Sequence, residues 1–439
     1  MQRPCLINTV PKSFSYKIAD GNDCNYKEAT NMAMKILAEY DMKIMQRPCP
    51  TTLAMENRKL KQSMNGDVSS LLDLPLMEDV IAQRKSRILL FLTKFSSMTA
   101  LASGNPTLCR YNSAWLIIMY YEHGISSDTC LALLSHATIL KVQGKLTRSQ
   151  EYADVVEQLA NRFPEGPGTF HAKTKAWLQS SIYPSLKPFN KSLDELLSAV
   201  KIGLRTGDIE SATIGSMSYS FSYLCVGLNL SALESDVQNF GHDARLFCRS
   251  PSLVVVFDIL QQTILNLMGD DCNDDPTVLN CTVMNQDDVV SAMAGLSKAM
   301  TLRDIRTFQL MLSCIYGAFD VAKRLVDQAS SYSFLDQLCS RRHIRLMYLG
   351  LASVVIGRQK GWRKKCKYGK LGKKIRNLFQ AETEMGNVNA HPVLTMLLAE
   401  EKPSKELYDD AIRVCARSGL MQVRYTLLLL LLYFPPWTV

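Results

Sequence analysis

The sequence predicts an all-α fold, an irregular α-solenoid of antiparallel helix pairs. Three observations lead there. Glycine and proline are scarce, 22 and 16 in 439 residues, which disfavours a β-sandwich or a disordered linker and favours helices. From about residue 75 onward, apolar residues recur at helical spacing in runs of roughly 15–20 residues. Most breaks between the runs are short and polar, as between antiparallel helical neighbours. Hydrophobic residues make up 47% of the chain, enough for a sizeable core.

The elements follow in order. Residues 1–26 are polar and irregular, and 25–44 carries apolar residues at helical spacing with a Lys/Glu-rich opposite face. Residues 1–64 are therefore expected to be a polar segment with one helix. A first helical region is expected over 65–267. Its opening helix, 76–103, has Pro75 near its start and Gly104-Asn105-Pro106 after its end. A second helix stops at Gly124. A third, before Gly144, has Ser127 and Asp128 at its cap. A fourth ends at "PEGPG", residues 164–168, and "FHAKTKAWLQSSIYPSLKP" and "NKSLDELLSAVKIGLRTG" follow. Residues 268–290 read as an acidic, solvated loop. Asp270, Asp271, Asp274 and Asp275 lack the alternating ligands, central glycine and closing glutamate of a calcium loop. A second helical region is expected over 291–424, and 425–439 as an atypical apolar tail.

Two turns stand out. In "GLRTGDIESA", Gly207 suits the left-handed end of one helix, Asp208 can cap the next, and the small Ala212 lets the two helices approach closely. Gly317 and Ala322 repeat the step in "CIYGAFDVAKRL". Tetratricopeptide repeats use Gly and Ala at this spacing for these reasons.

Chemistry is sparse. No Walker-type phosphate loop, H-E-x-x-H pair or G-x-S-x-G elbow occurs. The six histidines, at 123, 136, 171, 242, 343 and 391, form no ligand spacing. No catalytic residue, cofactor or metal is expected. The 13 cysteines include no C-x-x-C pair, and the first residues have no apolar signal core. Reduced, mostly buried thiols in a cytoplasmic protein are expected. The longest apolar run, 425–434, is too short to cross a membrane.

Charge is concentrated. Of the net +9, ten basic residues and no acid fall within 357–380, and the rest is close to neutral. The block comprises Arg358, Lys360, Arg363, Lys364, Lys365, Lys367, Lys370, Lys373, Lys374 and Arg376, interleaved with Trp362, Tyr368 and Phe379. It reads as a solvated helix face or as a contact surface for an acidic protein. Nucleic acid or anionic lipid is a further alternative.

The order of segments resembles the helical region of large multidomain signalling ATPases. There an AAA or STAND-type ATPase domain precedes tetratricopeptide-like helices, and a histidine kinase or cyclase can follow. The matching residues are Leu74-Pro75, His123-Gly124-Ile125, Gly203-Leu204, Gly207-Asp208, Ala212, Tyr223, Gly227 and Leu230. Asn389, His391, Leu397, Ala399, Glu400, Tyr408, Ala411 and Ile412 also match. The resemblance spans roughly 65–424 and rests on helix-packing motifs. It implies a non-enzymatic interaction or regulatory module, whose partner is a protein such as an ATPase or kinase domain. The rival readings are a regulatory fragment of an active ATPase and a nucleic-acid-binding repeat.

Overall fold

The computed structural model describes residues 26–103, 107–163, 165–166, 170–248, 250–269, 275–329, 340–359 and 367–433. Among these the fold is all-α, and the one β pairing is an isolated parallel bridge between Leu76 and Ile125.

The first half contains α1 (Tyr26–Glu39), α2 (Pro50–Ser63), α3 (Val80–Ser103), α4 (Thr107–His123), α5 (Thr129–Val142) and α6 (Leu146–Ala160). Consecutive helices pair in α3–α4 and α5–α6, while α1 packs on α3 and α2 on α4. Leu37, Leu89, Leu92, Ile117, Leu133 and Val156 are fully buried among these helices. Helix α7 (His171–Trp177) then runs into a π turn at Leu178–Ile182 and short 3-10 turns at Tyr183–Ser185 and Phe189–Ser192.

The second half begins with the pair α8 (Leu193–Thr206) and α9 (Ile209–Val226), followed by α10 (Leu230–Phe247) and α11 (Pro251–Met268). A short α12 (Gln286–Ser291) leads into α13 (Gly295–Ile315) and α14 (Phe319–Gln328). The last helices are α15 (Ser340–Gln359), α16 (Lys367–Glu384), α17 (Ala390–Glu401), α18 (Lys405–Ser418) and α19 (Met421–Tyr433). Helix α9 touches its neighbours α8 and α10 and also the distant α15 and α19. A strictly linear stack, in which each unit meets only adjacent ones, has no such contacts. Phe221 of α9, Phe308 of α13 and Tyr348 of α15 are buried in this second core.

The apolar cores divide at the irregular turns. One cluster draws on residues 33–183 and the other on 189–427. The polar stretch 268–290 lies inside the second unit. Its described part is anchored rather than solvated: Leu279 is fully buried, and Asn266 Nδ2 donates to the carbonyls of Pro276 and Val278, both at 2.9 Å. Asp270, Asp271 and Asp274 lie outside the described residues.

Further expectations give way for physical reasons. Pro75 is not in the first turn of α3. Ile125 N–H donates to Pro75 O at 2.9 Å and Met77 N–H donates to Ile125 O at 2.8 Å, holding the chain extended until Val80. Asp128 flanks α5, but its carboxylate makes no capping bond and accepts from the Ser126 and Ser86 hydroxyls. The leucine run near the end continues as α19, with Val423, Thr426 and Leu427 buried. Cys109, Cys130, Cys225, Cys314 and Cys415 are buried free thiols. Cys281 is disulfide-bonded, so thiols are not reduced throughout. It sits part-exposed at a bend, whereas the free Cys49 is exposed and the free Cys248 part-exposed.

Among the described residues one helix, α11, is long and apolar enough to cross a membrane. More than half of it is buried here, with Val256, Phe257, Ile259, Leu260 and Ile264 in the second core.

Two buried histidines tie stability to pH. Burial, with Arg110, Lys145 and Arg148 nearby, pushes His136 down to about 4. Burial, then Arg342, pushes His343 down to about 3. An unfolded histidine titrates near 6.5. The stability from keeping these rings neutral is therefore complete above about pH 6.5 and is lost as pH falls towards the folded values. Urea unfolding is expected to lose about 2 kcal/mol per histidine between pH 7 and pH 5. The loss should be smaller in His343→Gln, and a pH-independent midpoint over this window would contradict the account.

Candidate interaction surface

Helix α16 carries the described half of the basic block. Its apolar residues fall on one stripe, and Tyr368, Gly372, Ile375 and Phe379 are buried against the core. Gly372 permits a tight approach to α15, where an added Cβ would stand 2.9 Å from Val354 Cγ2. That stripe turns Lys370, Lys373 and Lys374 outward, and all three are exposed. Lys360, Arg363, Lys364 and Lys365 lie outside the described residues.

The remaining three basic residues are engaged within the fold. Lys367 Nζ pairs with Asp327 Oδ1 at 2.7 Å, and the Tyr368 hydroxyl donates to the same carboxylate at 2.8 Å. The bonds from Lys367 and Tyr368 hold Asp327 below the usual carboxylate range. Arg376 pairs with Glu401. Arg358 Nη1 lies 3.0 Å from Glu400 Oε2, and the Tyr408 hydroxyl donates to Glu400 Oε1 at 2.5 Å. The Glu400 side chain is only 1% exposed. Burial pushes its pKa up, against the opposing pull of Tyr408 and Arg358. The block thus includes Arg358, Arg376 and Lys367, which join helices, and the exposed Lys370, Lys373 and Lys374.

The turn residues belong to packing. Gly207 ends α8 at φ 78°, and Asp208 Oδ1 accepts from Ser211 N–H at 3.2 Å. Ala212 is buried against Gly203, where an added Cβ would stand 2.9 Å from Ala212 Cβ. Gly317 takes φ 70° between α13 and α14, and Ala322 is fully buried.

One nucleophile–base pair exists in the first core. Ser113 Oγ lies 3.1 Å from His136 Nδ1, and both residues are buried. The ring also lies 5.0 Å from that of Tyr152. Ser113 is fully buried and His136 nearly so, and their hydrogen bond joins α4 to α5. Among the described residues, no group of three or more His, Cys, Asp or Glu could hold a metal ion.

Asp327, Glu401 and Asn389 gain their roles only from tertiary structure. Glu400, Tyr408 and Asn389 enter the sequence reading through the resemblance alone, and no local signal pairs them with their partners. No family model, no curated protein and no solved structure matches this chain.

The two kinds of cation separate in a stability measurement. Arg358→Ala strands a buried carboxylate and is expected to cost about 3–5 kcal/mol in urea unfolding. Lys367→Ala, at a site open to solvent, should leave the midpoint nearly unchanged. Equal losses would show that the division is wrong.

Proposed function

We propose that the chain is a protein-interaction module, an irregular tetratricopeptide-like helical repeat that acts without catalysis of its own. The observation that carries this reading is the state of the carboxylates around α16. Asp327, Glu400 and Glu401 are already held by Lys367, Arg358 and Arg376. The side chains of Lys370 and Lys373 are exposed on the outer face, and Lys374 is exposed beside them. The sequence adds Lys360, Arg363, Lys364 and Lys365 just before the helix. Such a face attracts an acidic partner and sets the rate and selectivity of its docking. The paired turns at Gly207 and Gly317 support the repeat reading, each with a buried alanine five residues on.

The resemblance to helical regions of signalling ATPases extends the proposal. On that reading the partner is an ATPase or kinase domain, carried elsewhere or in the same longer protein. The chain then relays a change of packing rather than performing chemistry.

The test compares labelled polyglutamate, a single-stranded RNA of matched length and anionic vesicles, with calorimetry for ATP. Polyglutamate should bind at low salt and weaken as salt rises, and the K370E/K373E/K374E variant should lose at least tenfold in affinity. Tighter binding of RNA than of polyglutamate favours the nucleic-acid reading instead. Heat or phosphate release with ATP removes the non-catalytic reading.

A further inference from the structure

The two apolar cores meet at a junction unlike the rest of the fold. The chain crosses between them over residues 178–192, which leave α geometry for a π turn and two 3-10 turns. Such departures within helices recur at hinges. The buried hydrophobic side chains of α7, α8 and α9 that belong to neither core cluster are Leu196, Val200, Ile202 and Tyr219 together with the small Ala172, Ala176, Ala199 and Ala212. Small side chains bury little area and interlock weakly.

Beside the part-buried bonds from Lys141 Nζ to Ser181 O and from Lys175 Nζ to Ser198 Oγ, ion pairs with substantial exposure cross this junction. Lys94 of α3 meets Glu210 of α9 at 3.1 Å, with the two side chains 43% and 53% exposed. Lys175 of α7 meets Glu195 of α8 at 2.8 Å, and Arg205 pairs with Glu165. Exposed pairs of this kind are individually weak and are screened by salt.

One contact is different. Asn389, nearly fully buried in the loop after α16, donates from Nδ2 to Pro184 O and Lys187 O, both at 2.9 Å. It holds the bend from more than 200 residues away. In the same loop region, Met385 Sδ lies 2.8 Å from where a Cβ on Gly144 would stand, so the end of α16 also touches the first half. Three buried polar atoms of the junction and of the helices packed on it, Asn389 Oδ1, Ser192 Oγ and His343 Nε2, have no hydrogen-bond partner within the protein. The His343 ring packs edge-on against Phe189 of the junction, 5.2 Å between centroids, and against Phe379 of α16 at 5.9 Å. Buried polar groups without partners disfavour the arrangement that buries them.

We propose that residues 178–192 form a hinge between the two halves, closed here by the Asn389 clasp. Opening lets water reach the Asn389, Ser192 and His343 atoms, which offsets the exposed ion pairs and small-residue contacts that are lost. The clasp sits at the end of the helix that carries Lys370, Lys373 and Lys374. A ligand that pulls on α16 therefore acts on the hinge directly. The hinge stands whether or not those lysines bind a protein.

Hydrogen–deuterium exchange on the full chain, with X-ray scattering in solution, tests this. In the wild type, amides of 183–192 should exchange at least tenfold faster than buried amides of α5 and α11, and faster still in 1 M salt. Asn389→Ala should speed them at least another tenfold and raise the radius of gyration, with α5 and α11 unchanged. Junction amides as slow as those of the cores in the wild type would overturn the proposal. So would faster exchange in Asn389→Ala with unaltered scattering, because the turn would then fray without moving the halves. Loss of protection throughout the variant would also overturn it, since Asn389 would then support folding rather than a latch.

Discussion

Close backbone approach at small residues is the constraint on which this architecture depends. Helices separated by large side chains sit 8–10 Å apart, and several pairs here come closer than a Cβ would allow. At Gly203 an added Cβ would stand 2.9 Å from both Ala212 Cβ and Asp208 O, which fixes α8 against α9. At Gly227 it would stand 2.5 Å from Gln422 N, which seats the end of α9 on the start of α19. At Gly350 it would stand 2.9 Å from Ile375 Cγ2, which seats α15 on α16. These contacts make α9 a central post for the second half. It also touches the distant α15 and α19.

The charged surface follows from that packing. Because α16 lies close on α15, its apolar stripe is consumed and its lysine-bearing edge must face outward. Arg358 at the end of α15 is then brought over α17, where Glu400 is sealed beneath it. A buried carboxylate is tolerable only with a cation and a hydroxyl on it, and Arg358 and Tyr408 supply both. The same chain segment thus supplies structural cations and surface cations a few residues apart. Their division is set by which carboxylates the fold brings near.

Local chemistry was legible where the cause is local. The turn at Gly207-Asp208 could be read because a left-handed glycine followed by a capping aspartate has few other uses. The charge of residues 357–380 was equally plain. What could not be read came from distant partners. Ile125 holds Pro75-Leu76-Met77 extended, and nothing near Pro75 signals this. Asn266 and the buried Leu279 turn an acidic stretch into an anchored one. The leucine run after Tyr425 gives no amphipathic pattern, yet its helix packs on α9, α13, α17 and α18 and buries Leu427. Asp327, Glu400 and Glu401 select three cations from the block, and only tertiary packing brings them there.

Two glycines allow the central constraint to be measured with backbone strain held equal. Gly207 and Gly227 both end helices in the left-handed conformation, at φ 78° and 73°. Gly207 has open space where a Cβ would go, whereas Gly227 has the backbone of Gln422 and Met421. Each alanine substitution incurs a left-handed cost of about 1–2 kcal/mol. Urea unfolding of Gly207→Ala and Gly227→Ala is the decisive comparison. The account predicts that Gly227→Ala loses about 1–3 kcal/mol more, from overpacking against α19. Equal losses would mean that close approach at small residues does not hold the second half together.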